Sequence, residues 1–183
     1  VQNVCSSDLS GAGALSFASN ASDLSNLTID ASSNNNFAGT LMGSTGLTKL
    51  GSGTLSLTNT NTNSGITYIN AGTLQVGNGG ATGSLGSGDV VNNTALVFNS
   101  TGNSVASGII SGAGTFTKLG SGRVALTRAN TYTSGTTLSG GTLGIYDNAS
   151  ISTGTLTAAD GTTVMFGPNV SNFATNMTLN GSV

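Results

Sequence analysis

Charge is what this sequence has least of. Only 5% of its 183 residues are charged, where about a quarter is usual. All six acidic residues are aspartates, and Lys49, Lys118, Arg123 and Arg128 are the only cations besides the amino terminus. Histidine, tryptophan and glutamate are absent, and there is one cysteine and one proline. Without histidine there is no Ser-His-Asp triad and no ordinary catalytic zinc site. The lone Cys5 excludes a disulfide framework and reads as a small residue near the start of the chain. A net charge of −2 with no basic patch excludes nucleic-acid binding, because phosphate contacts need Lys and Arg. No apolar run approaches 18 residues, so no helical membrane insertion is expected. The opening VQNVCSSD has neither a basic start nor an apolar run, so no signal peptide is expected, and the segment reads as part of a longer chain.

What the chain does have is glycine, 29 of them, with abundant Ser, Thr and Asn. These residues disfavour helix, because they compete with its backbone or cost it entropy. Low charge and regularly placed apolar residues argue against disorder.

Two stretches repeat: TKLGSGTLSLT at Thr48–Thr58 and TKLGSGRVALT at Thr117–Thr127. The offset is 69 residues (118 − 49 for the lysines), and it needs no gap. Gly39 pairs with Gly108, Leu41 with Ile110, Asn61-Thr62 with Asn130-Thr131 and Gly72-Thr73-Leu74 with Gly141-Thr142-Leu143. A fixed period of this kind marks a repeat architecture.

The unit splits further into apolar–any–apolar doublets: Leu27/Ile29, Leu55/Leu57, Leu74/Val76, Leu96/Phe98, Val124/Leu126, Leu143/Ile145 and Val164/Phe166. Their first members are spaced 28, 19, 22, 28, 19 and 21 residues apart, on average about 23. Short strands joined by bends suit an all-β parallel β-helix in which each strand pairs with its equivalent one coil on. The expectation is about 23 residues per coil, three coils per 69-residue repeat, and the doublets stacked as one interior ladder. Leu55, Leu74 and Leu96 must then lie inside one tube on successive turns. Residues 1–35 read as irregular leading coils, 36–104 as repeat 1, 105–173 as repeat 2 and 174–183 as the start of a further coil. Leu9–Gly13 echoes Ile110–Gly114 and reads as a decayed earlier copy.

The strings Gly46–Gly77 and Gly114–Ile145 resemble the passenger-associated repeat of bacterial autotransporters, whose pattern runs roughly G-x-L-x-K-x-G-x-G-x-L-x-L-x-x-x-N-x-Y-x-G-x-T-x-x-x-x-G-T-L. The flanks Phe37–Gly46 and Ala106–Gly114, and the linker Gly83–Val91, are similar to its usual surroundings. The likeness covers about residues 36–166. Asn63 stands where the pattern has Tyr, a difference expected to touch loop detail only, and Ser139-Gly140 stands where it has Asn-Ala. The resemblance implies a right-handed parallel β-helix displayed on, or released from, a bacterial cell surface.

No catalytic, cofactor-binding or metal-ligating residue is singled out. The six aspartates, Asp8, Asp23, Asp30, Asp89, Asp147 and Asp160, are scattered and read as turn residues, with a loose Asp89–Asp160 stack as the alternative. Gly86–Asp89 is one broken copy of a calcium-binding nonapeptide. Lys49 and Lys118 are expected to cap coil corners through neighbouring carbonyls. Triplets of the N-x-S/T type at Asn20, Asn26, Asn99 and Asn148 carry little weight in a chain this rich in Asn, Ser and Thr. The expected function is non-catalytic and structural or adhesive: a stalk or adhesin shaft, with a host-surface or glycan ligand. The alternatives are a fibre subunit joined end to end, or a glycan- or ice-binding face built on Thr58–Thr62 and Thr155–Thr157.

Overall fold

A computed structural model describes residues 2–5, 26–151, 153–171, 173 and 177–180. Asp8, the Leu9–Gly13 echo, Asn20 and Asp23 lie outside the described residues, as do 174–176 and 181–183 of the expected further coil. In chain order the strands are β1 (Gln2–Cys5), β2 (Asn26–Asp30), β3 (Asn35–Phe37), β4 (Gly46–Leu50), β5 (Thr54–Leu57), β6 (Thr67–Ile69), β7 (Thr73–Val76), β8 (Val90–Asn92) and β9 (Ala95–Phe98). The second half continues with β10 (Ser104–Ala106), β11 (Ile110–Ser111), β12 (Thr115–Lys118), β13 (Arg123–Leu126), β14 (Thr136–Leu138), β15 (Thr142–Ile145), β16 (Leu156–Ala159), β17 (Thr163–Phe166) and β18 (Met177–Asn180). All described pairings are parallel, and they form a six-stranded sheet (β1-β2-β4-β6-β8-β11), an eight-stranded sheet (β18-β16-β14-β12-β9-β7-β5-β3) and a four-stranded sheet (β10-β13-β15-β17). The chain visits the sheets in rotation, which makes a β-solenoid of about seven turns.

Leu55 pairs with Leu74 and Leu74 with Leu96, and all three are fully buried. Phe116, Thr136 and Leu156 continue this inner column, and Phe37, Leu57, Val76, Phe98, Lys118, Leu138 and Ala158 form a second one beside it. Side chains alternate across each strand, so the residues between the doublets point outward. Each enclosed leucine contributes about 1.5–3 kcal/mol by leaving water.

The doublets do not form one ladder. Leu27/Ile29 lies on the six-stranded sheet, Leu55 to Phe98 on the eight-stranded sheet, and Val124 to Phe166 on the four-stranded sheet. From β2 onward, paired residues are 19 to 23 positions apart, and many are 20 apart. The two spacings of 28 are therefore one turn plus a step across a corner: Leu27 pairs with Leu47, and Leu55 lies eight residues further (55 − 47) on the next face. Counting those steps as turns is what raises the apparent coil to about 23.

The same correction applies to the repeat. Three turns carry Leu55 through Leu74 and Leu96 to Phe116, and eight more residues (124 − 116) lead to Val124 on the adjacent sheet. The 69-residue unit is three turns and one face, not three turns. Lys49 thus sits on the six-stranded sheet and Lys118 on the eight-stranded one. The strandless loop 58–66 lies on the third face in the first copy. Its equivalent in the second copy stacks on β11, where Thr131 N donates to Ile110 O, and among the described residues no further strand joins the six-stranded sheet there.

Two glycine pairs keep the corners tight. Gly72 and Gly141 have φ of 64° and 67°, where a side chain is strained. At Gly53 a Cβ would lie 2.2 Å from Ser33 O, and at Gly122 2.1 Å from Gly102 O. Thr153 and Gly154 bend before β16 begins at Leu156.

Candidate functional surface

The interior is closed by two polar devices, each present in both copies. Lys49 and Lys118 are fully enclosed. Lys49 Nζ donates to Leu50 O and Gly51 O, both at 2.7 Å, and to Ala71 O at 3.1 Å one turn on. Lys118 Nζ repeats this with Gly120 O and, at 3.3 Å, Gly140 O. The expected corner role is what the geometry shows. Burial pushes both lysines below the usual range, and the Asp30 charge partly offsets this for Lys49. Asn99 occupies the place of Asp30 in the second copy, without a charge.

Asn61 and Asn130 clamp three turns each, a role the sequence reading missed. Asn61 Oδ1 accepts from Leu41 N at 2.8 Å and its Nδ2 donates to Ser84 O at 2.7 Å. Asn130 accepts from Ile110 N at 2.8 Å and donates to Ser150 O at 2.6 Å. Their signal was recurrence in the same Asn-Thr dipeptide. Tyr132 stacks on Phe116 at 6.1 Å between ring centroids, and its hydroxyl lies 2.5 Å from Thr136 Oγ1. Asn63, its counterpart, is also fully buried. Its Nδ2 reaches Thr45 O at 2.9 Å, but its Oδ1 is enclosed with no hydrogen-bond partner among the described residues. The Tyr-to-Asn difference therefore alters the core and not only a loop.

The aspartates act at corners. Asp89 Oδ1 accepts from Ile109 N, Asp147 Oδ1 from Ala149 N and Asp160 Oδ1 from Gly161 N. Asp89 precedes β8 and Asp160 follows β16, on different sheets, so the two do not stack. Among the described residues no three His, Cys, Asp or Glu side chains group as metal ligands. The Cys5 backbone ends β1, in register with Asp30.

The outer side of the eight-stranded sheet is uncharged along its central file, which reads Asn36, Ser56, Gln75, Val97, Thr117, Thr137, Thr157, Thr178. Thr157 belongs to it. The run Thr58–Thr62 does not, since it forms no strand and Thr58 Oγ1 turns back to Phe37 O. At the β3 end this side opens into a polar cleft lined by Asn34, Asn35 and Asn36, by Thr54 and Ser56 of β5, and by Gln75 and Asn78. Gln75 Nε2 donates to Ser56 Oγ at 3.2 Å and Gly77 O at 2.9 Å, and Asn78 Nδ2 donates to Asn36 Oδ1 at 3.3 Å, across two turns.

Sixty-nine residues on, the same place is occupied. Gly144 replaces Gln75, Ala125 replaces Ser56 and Tyr146 replaces Gly77. The Tyr146 ring lies beside Gly144, where a Cβ would meet its Cε2 at 2.9 Å. Arg123 Nη1 donates to the Tyr146 hydroxyl at 2.8 Å, with its guanidinium 6.0 Å from the ring centroid.

A parallel solenoid with twice-repeated lysine corners and asparagine clamps is a class defined by its repeat. The passenger-associated-transport-repeat family matches residues 47–76 and 116–145, so the chain carries two such repeats. It is also similar to the Adhesin BmaC autotransporter of Brucella suis biovar 1 (strain 1330), with 43% identity over 112 residues, 61% of this chain and 3% of that protein. The two findings agree in likeness: two matches to the passenger-associated transport repeat, and similarity to part of an autotransporter adhesin. It spans only a small part of that relative's length. No solved structure matches the chain.

Proposed function

We propose that the chain is a non-catalytic, surface-displayed shaft of an adhesin, a single right-handed solenoid body in which 36–104 and 105–173 are successive copies. The observation that carries this reading is the unbroken parallel ladder of eight strands through both copies. Each turn is held only by its neighbours, so stiffness and stability accumulate turn by turn, and folding propagates along the axis. Right-handed crossover is the general rule for parallel strands in one sheet. The similarity to an adhesin autotransporter supports extracellular display and an adhesive role. The lysine and asparagine devices support a structural one, since each joins consecutive turns. The test is display of the chain on a non-adherent bacterial host, with adherence to host-cell and polysaccharide surfaces measured against an empty display vehicle. Increased adherence is expected, and adherence equal to the empty vehicle would remove the adhesive part of the reading.

A further inference from the structure

The cleft between β3, β5 and β7 holds unpaired polar groups of both kinds. Asn34 Oδ1 accepts from Thr54 N at 2.9 Å and Asn35 Nδ2 donates to Ser33 O at 2.9 Å, which fixes both amides. Asn36 and Asn78 fix each other, and Gln75 is held by Ser56 and Gly77. Among the described residues this leaves Asn34 Nδ2 and Asn36 Nδ2 as unpaired donors, with Asn35 Oδ1 and Gln75 Oε1 as unpaired acceptors. No lining residue is charged or aromatic.

We propose that this cleft is a binding site for a neutral saccharide. A sugar hydroxyl both donates and accepts, so a row of hydroxyls matches a wall that alternates amide N–H and C=O. Phosphate, sulfate or uronate would need the Arg or Lys that the cleft lacks. An apolar ligand would strand the amides without partners. A peptide adding as a strand needs a sheet edge, whereas Ser56 and Gln75 of the cleft lie on the outward face of β5 and β7, both already paired on two sides. The amides are held by contacts across three turns, so little ordering is required when the ligand arrives. The equivalent position in the second copy shows the contrast: Tyr146 and Arg123 lie over it, and Gly144 has no side chain to offer.

The proposal names the site and ligand class for the adhesive reading above and rests on it. Its test uses the purified chain and, separately, the displayed chain. Binding is measured by calorimetry against β-linked gluco-, galacto- and manno-oligosaccharides and a uronate oligosaccharide of equal length. At least one neutral series is expected to bind and the uronate is not. Gln75→Ala with Asn78→Ala is expected to weaken binding at least tenfold, with Asn36→Ala as the single-site variant should the pair unfold, and Thr137→Ala on the same sheet to leave it unchanged. No neutral series binding, preference for the uronate, or equal affinity in the cleft variants would overturn the proposal. Displayed cells that adhere equally well with and without the cleft substitutions would sink the cleft while sparing the adhesive function. Cells that never adhere would sink the adhesive function itself.

Discussion

The two copies of the repeat share a backbone but spend their side chains differently. The second copy fills its interior with Tyr132 against Phe116 and covers its outer face with Tyr146 and Arg123. The first places Asn63 in the interior with an unpaired oxygen, and leaves its outer face open as a polar cleft. One copy is the better packed and the other the better furnished for binding. Local departures from the repeat pattern are thus concentrated where one copy gives up packing, and such sites are where function is to be sought.

The largest difference between the copies is expected inside. Tyr132→Ala removes a buried aromatic and its stack, at a cost of about 3–5 kcal/mol by the general scale for large-to-small core changes. Asn63→Ala removes one hydrogen bond together with the stranded oxygen, at a cost of about 1 kcal/mol. Urea unfolding of the two variants measures the contrast, and equal losses would show the copies to be packed alike.

The corner glycines are expected to erase the contrast. Gly72→Ala and Gly141→Ala each force a side chain into left-handed backbone and should cost about 1–2 kcal/mol or more in either copy. Thermal unfolding of each variant checks this, and a loss in one copy only would mean that the corners are not equivalent.

The lysines separate the copies by pH. Both are lowered in the fold, so between their folded values and the unfolded value near 10.5 the unfolded chain binds more protons. Stability therefore rises with pH through that window and is at its lowest below it. Lys118 has no Asp30 beside it, so Lys118→Met should flatten the rise more than Lys49→Met. Denaturant midpoints from pH 7 to 10 give the comparison.

The smallest effect belongs to the outer cover. Arg123→Ala loses a half-exposed hydrogen bond and a cation–ring contact, about 0.5–1 kcal/mol, with no counterpart in the first copy. A shift in midpoint beyond that range would mean that Arg123 supports more than Tyr146.

Much of the fold was legible because solenoid strands advertise themselves by spacing. Leu55, Leu74 and Leu96 stack as the period requires, and the paired lysines cap corners as their recurrence implied. What spacing alone did not reveal was that the 28-residue step from Leu27 to Leu55 is a turn plus a corner, while the 22-residue step from Leu74 to Leu96 is a single turn. The cleft was not legible either. Its wall joins Asn36, Ser56 and Asn78 from three turns, and no linear pattern marks residues that meet only through winding.

That extra corner has a geometric consequence. Because each 69-residue copy ends one face further round than it began, equivalent patches in a tandem array would climb the shaft like the thread of a three-sided screw. A patch would face the same compass direction only every third copy, after ten turns or on the order of 48 Å of axis. A filament of such copies would have no blind side, and a flat surface touching it anywhere would meet one patch in three.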